Sequence, residues 1–168
     1  MSSEVIAALL GALAAGLLQT ITTIRSGKLE AEAVLTSLAS EVDSICRLIR
    51  HQRYLEGIGK IADDINKGMW NGTSYVIDIR ENYFSVCEGL VTKLGLLRPR
   101  DATKIVNFYA YCKSAIDSTR VDGPHAANSN SAEAAENMVS VATLLRAILA
   151  LGDEIVQIPK ISIDVHAS

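Results

Sequence analysis

The chain has 168 residues, of which 49% are apolar and 21% charged, and a formal net charge of −3. These values exclude a disordered or collagen-like chain and argue against a general nucleic-acid coat. Cys46, Cys87 and Cys112 are odd in number and far apart, so they form neither a disulfide framework nor a CxxC metal site.

Residues 5–24 (VIAALLGALAAGLLQTITTI) form a run of 20 residues without a charge. As a helix this run is about 30 Å long, the thickness of a bilayer core. The expectation is therefore a transmembrane helix over residues 1–26. Arg25 and Lys28 follow it and no Lys or Arg precedes it. The positive-inside rule then predicts a single-pass protein with a cytoplasmic C-terminal body, which in a bacterial cell places it in the inner membrane. Only Glu4 precedes the run, so it lacks the basic start of a signal peptide. A buried core helix is the alternative reading.

On a helical wheel Ala8, Ala12, Ala15, Gln19, Thr22 and Ser26 follow steps of four and three and make one stripe of small or polar residues. Small residues allow close backbone approach, and Gln19 needs a hydrogen-bond partner in an apolar setting. The stripe is the candidate oligomer seam or pore lining of a homo-oligomer.

After a weak point at Ser26–Gly27 an amphipathic helix is expected, with Leu35, Leu38, Val42, Ile45 and Ile49 inward. It can continue unbroken from the first segment, because one glycine does not stop a helix. Leu55, Ile58, Ile61 and Ile65 extend the pattern to a stop at Lys67–Gly68. Residues 69–80 read as a turn at Asn71–Gly72 followed by a β-prone stretch. A further helix is expected over about 80–94, closed by Gly95, and another begins at Pro99 with Ala102, Ile105, Val106, Tyr109, Cys112 and Ile116 inward. On this assignment Tyr109 is core, so Phe108 or Tyr111 faces a partner. Residues 121–131 are a loop, and the last helix runs to about Ile158. Pro159 is its expected end, followed by a strand-like or disordered tail over 160–168. The fold class is thus all-α, an N-terminal transmembrane helix continuing into a four-helix bundle over residues 27–159.

Chemistry-bearing motifs are sparse. No phosphate loop, GxSxG, HExxH or DxDxDG is present, and no cofactor or metal is expected. Asp63–Asp64 and Asp153–Glu154 are adjacent pairs that point to different helix faces and read as solvated charge. Arg47, Arg50, His51 and Arg53 are a candidate anion-binding cluster for a nucleotide or lipid headgroup, or a solvated face paired with acids. Arg120 and His125 have the Arg-x4-His spacing of HEPN-type ribonucleases, in which His acts as general acid/base and Arg steadies the phosphate.

The stretches Glu81-Asn-Tyr-Phe-Ser-Val, Lys93-Leu-Gly-Leu-Leu, Ile105-Val-Asn-Phe-Tyr-Ala and Lys113-Ser, preceded by Arg53-Tyr-Leu-Glu, resemble a group of small bacterial proteins. These carry one N-terminal membrane helix and a cytoplasmic helical bundle. In outline the layout also looks like the HEPN-like membrane accessory proteins of RNA-targeting CRISPR systems. The resemblance implies a non-enzymatic homo-oligomer that perturbs a membrane in anti-phage defence, triggered by a protein or nucleotide. A HEPN-like ribonuclease using Arg120 and His125, or a membrane-tethered adaptor, is the alternative.

Overall fold

A computed structural model describes residues 3–69, 77, 81–119 and 132–166, with the side chains of 3–11, 14, 81–82 and 160–166 outside the description. Helix α1 runs from Ser3–His51 without a break at Ser26–Gly27. Its 49 residues span roughly 75 Å at the α-helical rise, and among its described side chains the buried ones begin at Val34. There Leu35, Leu38, Val42, Ile45 and Ile49 face inward as their spacing predicts.

The turn into α2 (Tyr54–Asn66) is made by Arg53, whose φ of 54° is the only left-handed value at a non-glycine among the described residues. The side chain gains only an exposed pairing with Glu56 in return. Arg53→Gly is therefore expected to raise stability by about 0.5–1 kcal/mol, read as a higher midpoint in urea denaturation. Helix α2 stops where Lys67–Gly68 predicts. Gly68 has φ 66°, its N–H donates to the Ile65 carbonyl, and the Met69 N–H reaches back to Asp64 at 2.8 Å. This is the double bond pattern of a Schellman cap.

The helix expected over about 80–94 is not continuous. A 3₁₀ turn (Glu81–Phe84), the short helix α3 (Ser85–Leu90) and a second 3₁₀ turn (Val91–Leu96) replace it. Together they form a strap across α1, on which Val91 is exposed. The cause lies on α1. The Glu41 carboxylate accepts from the backbone N–H groups of Val86 and Cys87 at 2.7 and 3.0 Å, which opens a new helix start within the segment.

Helix α4 (Pro99–Thr119) starts at Pro99 as expected. Its inward face is rotated from the expected one. Ile105, Phe108, Tyr109 and Cys112 are buried, while Val106 is half exposed. Phe108 is fully buried and stacks edge-on with Tyr109, so it is a core residue and does not face a partner. Tyr111 lies on the outer face.

Helix α5 (Ala132–His166) is the centre of the body, and α1, α2 and α4 all pack on it. Met138, Val141, Leu145, Ile148 and Ile155 are fully buried along its length. Gly152 marks the closest approach. A Cβ there would lie 2.3 Å from Cys46 Sγ and 3.1 Å from Phe108 Cε2, so α1, α4 and α5 meet over a bare backbone. The helix passes through Pro159 to His166, in place of the strand-like or disordered tail expected over 160–168. Pro159 removes one backbone hydrogen bond without ending the helix.

Every described element is thus helical. The membrane expectation is overturned. Among the described residues no helix is long and apolar enough to cross a membrane. Gln19, Thr20, Thr22, Thr23, Arg25, Ser26 and Lys28 dilute the apolar content of the described part of α1. The transmembrane, single-pass inner-membrane and pore readings fall with it.

Candidate interaction surface

The body satisfies its own polar groups by tying helices together. Arg50 at the end of α1 reaches both carboxylate oxygens of Asp153 on α5 at 2.8 Å. Lys104 on α4 pairs with the neighbouring Glu154 and holds its carboxyl below the usual carboxylate range. Adjacent residues on α5 thus pair with two different helices while both stay exposed, the solvated charge that the sequence suggested. Arg98 pairs with the buried Asp101 at 2.6 Å and bridges the first turn of α4. A groove of about 600 Å³ runs between these pairs, lined by Arg98, Arg100, Lys104, Asp153 and Glu154. Its charges are of both signs.

The candidate anion cluster comes apart in the same way. Arg47 binds Asp43 one turn away at 2.7 Å, Arg50 binds Asp153, and Arg53 pairs with Glu56. His51 is exposed beside them. Each arginine is already engaged by a carboxylate, so an incoming anion would compete with three acids. Arg120 and His125 lie outside the described residues, as do Asn71–Gly72 and the loop 121–131.

Glu41 is the polar centre the sequence did not single out. Besides the two strap amides it accepts the Tyr109 hydroxyl at 2.5 Å. Burial first and this carboxylate second push the Tyr109 phenol above its ordinary range, so the phenol keeps its proton and donates. The three thiols are free, and burial raises all of them, Cys46 to about 11. None is a thiolate nucleophile at neutral pH.

What the body leaves over is the first half of α1. Leu13, Leu17, Leu18, Ile21, Ile24 and Leu29 are between 57% and 65% exposed. Large side chains at that exposure on one helix are not the scattered surface apolars of ordinary proteins. The candidate seam residues Ala12, Ala15, Gln19, Thr22 and Ser26 are exposed too, on the side away from Leu17, Ile21 and Ile24. The side chain of Ala8 lies outside the description. Thr20, Thr22, Thr23 and Ser26 each donate to a carbonyl three or four residues back in α1 itself. Each of these hydroxyl protons is thus used within the helix. Gly16 and Gly27 have open space where a Cβ would stand.

Part of the exposed apolar face belongs to a longer pattern along α1. Leu17, Ile21, Ile24, Lys28, Ala31, Leu35, Leu38, Val42, Ile45 and Ile49 advance in strict alternation of four and three residues. The second half of this seam, from Leu35, is buried in the body core. The first half continues the same alternation along α1, and its Leu17, Ile21 and Ile24 stand exposed.

No family model, curated protein or solved structure matches this chain.

Proposed function

We propose that this chain is a non-catalytic assembly protein, a homo-oligomer joined through the first half of α1, with a four-helix body carried on that helix. The observation behind this reading is Leu17, Ile21 and Ile24 on α1, each more than half exposed, which prolong the core seam beyond the body, with Leu13, Leu18 and Leu29 exposed elsewhere around the same helix. Full burial of each is worth about 1.5–3 kcal/mol. The non-catalytic part rests on the use of the polar side chains. Glu41, Tyr109, Arg50, Asp153, Lys104 and Glu154 are committed to joining helices.

The test is the mass in solution of the double variant Leu17→Glu/Ile21→Glu beside the parent chain. Both positions are exposed in the single chain, so the fold should survive with unchanged helical signal. The parent is expected to run as an oligomer, and the variant as a single chain of 18.0 kDa. Four apolar side chains lost per pair should weaken association by more than about 100-fold. An unchanged mass for the variant, or a parent that is already a monomer, would overturn the reading.

A further inference from the structure

We infer that α3 and the second 3₁₀ turn form a lid over Glu41 and Tyr109, which lifts from α1 as one unit while the helices beneath it stay packed. The inference is independent of the assembly reading above. Its first ground is burial. Neither α3 nor the second 3₁₀ turn has a buried residue, whereas Phe84 before them and Leu97 after them are both buried. The segment is pinned at its two ends and lies near the surface between them. Val86, Cys87, Leu90 and Leu94 are only partly buried against the core. A stretch with so little buried apolar surface opens more readily than the helices it covers.

The second ground is how the segment is built. Phe84 and Leu90 have φ of −106° and −109° with ψ of 10° and 5°, so each interrupts the helical backbone. Pieces as short as these have little helical stability of their own. What holds them lies on α1. The Glu41 carboxylate takes the N–H groups of Val86 and Cys87, and Lys93 reaches Glu30 at 2.8 Å. The Lys93–Glu30 pair is about half exposed and contributes little. Glu41 is therefore the latch.

The third ground is what the lid covers. Helices α1 and α4 each pack on α5, and the strap packs on α1 with its second 3₁₀ turn also on α4. It thereby closes the cleft between α1 and α4. In that cleft the Tyr109 hydroxyl donates to Glu41, and the Phe84 ring stands edge-on to Tyr109 with centroids 5.8 Å apart. The Phe84 ring keeps one hinge on the body, and buried Leu97 keeps the other. Lifting the segment between them releases both Glu41 oxygens from the strap amides and uncovers a carboxylate beside a phenol. The fold thus holds one polar site in a closed and an open form.

Native-state amide exchange of the parent chain, over a urea series below its unfolding midpoint, tests the lid. The protected amides of α3 and the second 3₁₀ turn are expected to exchange through one shared opening, at least about 100-fold faster than those from Met138 to Ile155 on α5. Urea should speed them in step with one another, and less steeply than it speeds α5. Exchange at the α5 rate would mean that the segment opens only with the whole body, and would overturn the inference. Lid amides that each follow their own urea dependence would overturn it too, since that is fraying and not a unit. Glu41→Gln removes the charge from the latch and should speed exchange of the whole lid by at least about tenfold, with α5 unchanged. Acceleration confined to Val86 and Cys87 would contradict the latch.

Discussion

Gly152→Ala is expected to lower stability by about 1–3 kcal/mol, the range for forcing an extra carbon into a packed core. On propensity alone the change should help, since alanine in a helix is favoured over glycine by about 1 kcal/mol. The sign is decided by Cys46 Sγ, 2.3 Å from the new Cβ, with the ring of Phe108 at 3.1 Å. Both neighbours are fully buried and have little room to turn. A second substitution makes the cause explicit. Cys46→Ala alone removes a buried sulfur and should destabilise modestly. Cys46→Ala with Gly152→Ala puts the new methyl where the sulfur was and should recover most of the loss. Denaturant midpoints for the four chains give a coupling energy, expected to be on the order of 1–2 kcal/mol. Additive effects would mean that the helices do not meet at this point.

The second large effect is expected at Glu41. Glu41→Ala leaves two amides at the start of α3 and the Tyr109 hydroxyl without their acceptor. Hydrogen bonds to a charged group contribute about 1.5–3 kcal/mol, and orphaned donors add their own penalty. A total loss of about 2–4 kcal/mol follows for the group, which acts as one network. Tyr109→Phe removes one donor and should cost about 1 kcal/mol. Amide exchange separates a local from a global effect. Val86 and Cys87 should lose protection in Glu41→Ala under conditions where α5 amides stay protected. Equal loss across the whole chain would contradict the strap account.

These two sites show what the sequence could and could not convey. The core faces of α1, α2 and α5 were legible, because Leu35 to Ile49, Leu55 to Ile65 and Met138 to Ile155 repeat at helical spacing and pack as that spacing predicts. The stop at Gly68 was legible from chemistry that only glycine supplies without strain. The strap was not, because its start is set by a carboxylate some 45 residues earlier, and no local pattern announces a long-range cap. The face of α4 was misjudged because Phe108 and Val106 fit rotated versions of one stripe, and packing against Gly152 and Tyr109 selects Phe108.

The first half of α1 was read as a membrane span because 20 uncharged residues match a bilayer in length. A signal against treating it as a separate unit was in the sequence. The four-three alternation from Leu17 to Ile49 crosses Ser26–Gly27 without losing phase, and a separate span followed by a domain has no reason to keep it.

On the proposed reading the open half of α1 is covered by further copies of the chain. Sedimentation equilibrium of the unmodified protein, without detergent, over a hundredfold range of concentration tests this most directly. The expected result is a mass of two or more chains that falls toward one only at the dilute end. A mass of one 18.0 kDa chain at every concentration would contradict it.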